Sequence, residues 1–202
     1  MSMQNRPSMA AASLDKKNKD FKQKHRFSMS EMEWGVNSSS NVTYLTMEFD
    51  IDCLYSTIVK LDYLVRVNPD RDITLVIASY GGDVYSMLGL VDYIRTLPVK
   101  VNTMALGTCM SAASVLLACG TGERRMTAHS TVMVHEGSAF EAGKVGDVMK
   151  GVDHLKDLQK DINSLLDDVT KKDANFWEMI QRNDTYLTAE QCLEYGIIDK
   201  IL

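Results

Sequence analysis

The chain has no Cys-x-x-Cys pair, no Gly-x-Gly-x-x-Gly fingerprint, no phosphate-loop motif and no surplus of positive charge. Each absence removes a class of function. Cys53, Cys109, Cys119 and Cys192 are widely separated, with no histidine at metal-ligand spacing; no metal site is expected, and reduced cytoplasmic thiols are. Without a glycine fingerprint or phosphate loop, a nucleotide site is disfavoured and no cofactor is expected in this chain. Lys and Arg total 22 against 27 Asp and Glu, so there is no overall basic field to hold nucleic acid. Long apolar runs are scarce as well. None follows the early charges, so no secretory signal is read. The one uncharged segment, Val101 to Gly122, carries three glycines and six polar side chains besides Ser111. That suits buried strand and helix better than a lipid-facing span, and no membrane contact is expected.

What is present is ordinary globular composition. With 202 residues, 45% hydrophobic and 24% charged, one domain with a substantial core is expected. Residues 1–27 hold seven basic and two acidic side chains, which leaves 15 basic and 25 acidic for the rest. Residues 1–41 lack apolar periodicity and read as a flexible basic arm, with the folded domain at 42–202.

Within that domain the hydrophobic spacing alternates between strand and helix. Val42 to Met47 reads as a short strand, and Leu54, Ile58, Leu61 and Val65 as a helix ended by Asn68-Pro69. Ile73 to Ala78 is a β-branched run of the kind buried on both faces of a parallel sheet. Val84 to Ile94 is helical, and Val99 to Leu106 is the next strand. A glycine turn at Gly107 then leads into a helix start. Gly120 to Arg125 reads as a turn, Thr131 to His135 as a strand, and Lys144 to Thr170 as an unusually long helix. Thr188 to Gln191 has the form of a capping box opening a short helix, and Ile197 to Leu202 reads as a last strand. This order predicts an α/β fold with right-handed crossovers, with chemistry gathered beyond the carboxyl ends of the strands.

Three features fall at those ends. Ser111 sits at a helix start, where free amides and the helix dipole steady negative charge; alone, such a serine is more often a cap. His135 ends a strand, where an imidazole serves as general base. Gly81-Gly82 follows another strand and permits backbone amides to approach an oxyanion. Ser114 points along the helix, and Cys109, with no cation beside it in the sequence, ranks below Ser111 as a nucleophile. A carboxylate to orient the imidazole is needed, and periodicity leaves Asp167, Asp168, Asp173, Asp184 and Asp199 open.

Ser79-Tyr-Gly-Gly82, Leu106-Gly-Thr-Cys-Met-Ser-Ala-Ala-Ser114, Val132-Met-Val-His135, Asn183 to Glu190 and Glu194 to Asp199 occur in that order. From about Val42 to Leu202 the chain thereby resembles the ClpP-like serine peptidases, the proteolytic subunits of Clp proteases. The resemblance implies a ClpP/crotonase-like α/β fold of repeated β-β-α units, with the helix from Lys144 as a protruding handle. It implies Ser111 as nucleophile, His135 as general base and acid, and Asp184 as orienting residue, with the amides of Gly82 and Ala112 as oxyanion hole. It further implies a cytoplasmic serine endopeptidase that cleaves peptides and unfolded proteins. The expected assembly is heptameric rings stacked in two, with a separate AAA+ unfoldase that consumes the ATP. Tyr80 stands where the family commonly has proline, and Glu136-Gly137 where Gln-Pro is common. Two other readings are a non-catalytic ring subunit of a mixed complex and, more distantly, an acyl-CoA hydratase or isomerase.

Overall fold

A computed structural model describes residues 29–202 of the chain. The first 28 residues of the expected basic arm therefore lie outside the described residues. Met29–Trp34 forms helix α1, and Val36–Asn37 forms strand β1, antiparallel to β2 (Val42–Leu45). The sheet thus begins ahead of the position read as its start. Val36 is buried in the core, but a two-residue strand is too short to leave a period in the sequence.

The remaining elements alternate as the hydrophobic pattern predicts. Helix α2 (Ile51–Val67) leads to β3 (Ile73–Ser79), α3 (Val84–Thr96) to β4 (Val101–Met110), and α4 (Ala112–Ala118) to β5 (Arg124–Met126) and β6 (Thr131–Val134). Then follow α5 (Val145–Val169), α6 (Ala174–Ile180), β7 (Thr185–Leu187), α7 (Ala189–Tyr195) and β8 (Lys200–Ile201). Strands β2, β3, β4, β5 and β8 are parallel neighbours in that order. The α/β class is the one expected.

Helix starts follow their capping chemistry. Asp50, Asp83 and Asp173 accept from amides three residues on, and Thr188 with Gln191 completes the capping box. Gly196 ends α7 with a left-handed φ of 81°. Between sheet and helices lies one hydrophobic core that includes Leu61, Leu64, Ile73, Leu75, Ile77, Leu116, Leu117 and Trp177, all removed from water. Every residue of α4 is buried, and its alanines let that helix approach the sheet closely.

Two readings of the sequence are corrected. Gly107 is not a turn between strand and helix: β4 runs through it to Met110. Ile77 pairs with Ala105 but Ser79 pairs with Cys109, so β4 carries two more residues than β3 in this interval. Gly107, with φ of 74°, absorbs this bulge. The stretch 120–125 is not wholly a turn either, because Arg124 opens β5; its three residues are polar except for Met126, which hides the strand. Past the bulge β4 changes neighbour. Thr103–Ala105 pairs with β5, whereas Thr108–Met110 pairs with β6, and β7 adds antiparallel to β6. The sheet therefore forks, and its second branch carries the candidate site.

Candidate active site

Ser111 is the residue at which β4 becomes α4. Its N–H donates to Met133 O at 2.8 Å, which carries the β4 to β6 ladder one residue further. Its carbonyl accepts from the Ser114 amide at 2.9 Å and the Ser114 hydroxyl at 2.6 Å. Held from both sides, Ser111 adopts φ 53° and ψ −126°, a conformation that ordinary side chains avoid and that surrounding contacts must impose. Its hydroxyl makes no capping bond to α4, so the commonplace role of a serine at a helix start does not apply. Ser114 supports the turn rather than competing as nucleophile.

The hydroxyl instead meets His135, with Oγ 2.8 Å from Nε2. On the far side of the ring, Nδ1 lies 3.2 Å from Asp184 Oδ1. A carboxylate only accepts, so the neutral imidazole carries its proton on Nδ1 and donates it to Asp184. Nε2 is left free to accept from the serine.

Strand register explains why Asp184 is the carboxylate that arrives. In the β6 and β7 pair, Val132 opposes Leu187, Met133 opposes Tyr186 and Val134 opposes Thr185. The next pair in this register is His135 with Asp184. Thr185 donates to Ile180 O at 2.8 Å and steadies the turn before the acid. Other candidates are occupied: Asp199 binds Arg124 through both carboxylate oxygens, and Asp173 caps α6. The sequence concealed this choice because β7 has only three residues.

The glycine pair closes the opposite side. Phe49 N–H donates to Gly81 O, and Asp83 N–H donates to Phe49 O, both at 2.8 Å. This bridge skips the Gly82 N–H. A Cβ on Gly82, whose φ is 137°, would lie 2.4 Å from Phe49 O, so only glycine fits. Gly81 packs on the Ser111 turn and comes near the Ala112 amide, which its Cβ would approach to 3.2 Å. Ala112 is the first residue of α4, and its N–H has no place in the helical ladder. Ser79, absent from the sequence-derived set, fixes this loop: its hydroxyl donates to Met47 O at 2.7 Å and accepts from Gly81 N–H.

Cys109 is wholly buried, with its thiol 3.3 Å from Ala113 O. Burial, followed by the nearby Cys192, pushes its pKa far up, so the sulfur is a poor nucleophile beside the exposed Ser111 and His135 pair. His154 stands on α5, where it meets the Tyr85 hydroxyl at 2.8 Å.

Comparison with known proteins agrees with this arrangement. The Clp protease family model matches residues 36–202. The ATP-dependent Clp protease proteolytic subunit 1 of Prochlorococcus marinus strain MIT 9312 is 32% identical over 146 residues, covering 72% of this chain and 75% of that protein. The ATP-dependent Clp protease proteolytic subunit of Bacteroides thetaiotaomicron is 34% identical over 145 residues, covering 71% and 66% respectively. With its matched span and its site on the same domain, the chain belongs to the Clp protease family.

Proposed function

We propose that this chain is a serine endopeptidase in which Ser111 is the nucleophile, His135 the general base and acid, and Asp184 the orienting carboxylate. The observation that carries the proposal is the unbroken relay from Ser111 Oγ through both ring nitrogens of His135 to Asp184. In the first step Oγ attacks a peptide carbonyl carbon, and its proton passes to Nε2. Negative charge gathers on the former carbonyl oxygen, where the amides of Gly82 and Ala112 donate to it. Asp184 offsets the positive charge on the ring. The C–N bond then breaks as Nε2 returns the proton to the amine, leaving an ester on Ser111. Water, deprotonated by His135, attacks that ester and releases the acid. No step calls for a metal or an organic cofactor.

The substrates proposed are peptides and unfolded polypeptides, and the working form is an assembly of rings, heptameric and stacked in two. Apolar side chains left uncovered by their own subunit support assembly: Ile51, Tyr55 and Val59 on α2, and Val145 and Met149 on α5. An AAA+ unfoldase that hydrolyses ATP is proposed to feed the chamber. A cytoplasmic location is proposed with it; four unpaired cysteines support that reading, and no helix among the described residues is long and apolar enough to cross a membrane.

Ser111→Ala tests the chemistry. Wild-type protein should cleave a short fluorogenic peptide and take up a fluorophosphonate at Ser111, whereas the variant should do neither. Peptide cleavage by the variant at the wild-type rate would refute the assignment, and a solution mass on the same samples reports the ring.

A further inference from the structure

Beyond the residues of the relay, a cluster of three carboxamides ties α5 to both His135 and Asp184. Gln159 Oε1 accepts from the Gly137 N–H at 2.9 Å, two residues past the histidine. Its NH2 group donates to Asn163 Oδ1 at 3.0 Å and to Gln181 Oε1 at 3.1 Å. Gln181 Nε2 also donates to Asn163 Oδ1 at 3.1 Å. The Gln181 carbonyl accepts from the Glu136 N–H at 2.7 Å, one residue past the histidine, and Gln181 itself lies three residues before the aspartate.

The direction of the Gln159 amide is set by these contacts. Both of its N–H groups are engaged by Asn163 and Gln181, whose side chains are buried, so its oxygen must face Gly137. Gly137 needs such a restraint. Glu136 to Phe140 is exposed and belongs to no strand or helix, and glycine has more backbone freedom to lose than any other residue. Beyond the β6 ladder, the bonds to Gln181 and Gln159 are what hold the chain that leaves His135.

Resting on the proposed triad, we infer that Gln159 is a positioning residue: it fixes the backbone beyond His135 so that the imidazole stays in line between Ser111 and Asp184. It touches neither substrate nor the reacting atoms. Its effect belongs to turnover rather than to substrate binding, because misplacing a proton-transfer group raises the barrier of the chemical step.

The test is a mutant cycle on the full-length protein, with kcat and KM measured on a fluorogenic peptide and the particle mass checked for each variant. Gln159→Met keeps the length of the side chain and removes the acceptor; it should lower kcat about tenfold with KM held within about twofold, the effect of one lost positioning hydrogen bond. Gln159→Glu keeps an acceptor for Gly137 and should restore kcat to within about threefold of wild type. Gly137→Pro removes the donor while the ring restrains the backbone, a change open to this residue because its φ is not in the positive range. In that background Gln159→Met should cost nothing more, a coupling that independent roles do not show.

A wild-type kcat in Gln159→Met overturns the inference. So does a Gln159→Glu variant as slow as Gln159→Met, or the same loss with and without Gly137→Pro, since each assigns Gln159 to packing alone. Failure of wild-type protein to react with a fluorophosphonate would instead overturn the triad itself, so the two failures are told apart.

Discussion

A Cβ placed on Gly81 would stand 2.7 Å from the Cβ of Ser111 and 2.8 Å from Met110 O. The strand end that bears the glycines and the turn that bears the serine are therefore in direct backbone contact. Gly81 also has φ of 105°, which only glycine adopts without strain. Gly81→Ala should lower fluorophosphonate labelling of Ser111 by about 100-fold, as expected for displacing a reacting group by about 1 Å. It should also destabilise the fold by about 1–3 kcal/mol. Labelling rate and thermal unfolding on one preparation check both numbers.

The thiols should remain silent while the serine reacts. All four cysteines are buried. Burial raises Cys53 and pushes Cys119 and Cys192 up to about 12, and Cys109 rises further still. At pH 8 a thiol with a pKa of about 12 is ionised in roughly one molecule in 10⁴. Iodoacetamide at that pH should leave the folded chain unmodified and alkylate four sites after denaturation, as mass spectrometry will report. Alkylation of Cys109 in the native protein would contradict the burial described for it.

Acid should weaken the fold through Asp199. The carboxylate accepts from Arg124 Nε, Nη2 and the Arg124 N–H at 2.6–3.0 Å, and chiefly the Arg124 side chain holds its pKa below the ordinary 3.8. A carboxyl group with a depressed folded pKa stabilises the native state fully above its unfolded value and loses that contribution as pH falls through the folded value. Asp199→Asn should therefore unfold at lower temperature than wild type at pH 7, and the gap should close as pH drops below about 3.8. The side chain is 44% exposed, so the effect is reduced by solvent screening and should shrink further in high salt.

Most of the architecture was legible because long elements leave a period. The run Ile73 to Ala78 and the stripe along the long helix each declare a face, and both appear as β3 and α5. Short pieces did not: β1, β5 and β7 have two or three residues each, fewer than one cycle of evidence for any pattern. At the site, Ser111 and His135 stand where strands end and could be proposed from that alone. Asp184 could not, because it reaches His135 through the register of β7, a relation between distant segments that spacing does not encode. The motif resemblance supplied it. Gln159, Asn163 and Gln181 were missed for a related reason: each is an ordinary polar residue on its own helix or turn, and only packing of α5 and α6 against the β6 end brings the three amides together.

The fork in β4 also constrains how this protein can change. Side chains on a strand alternate faces, so any interruption preserves the inside only if its excess length is even. Here the excess is two residues, and Val101, Thr103, Ala105 and Cys109 all stay buried across it. Loss of a single residue between positions 105 and 109 would turn the thiol outward and carry the nucleophile to the wrong side of the sheet. Loss of a pair would straighten the strand and leave its parity intact. The tether between core and cleft can therefore lengthen or shorten in steps of two, and drift by odd numbers is closed to it.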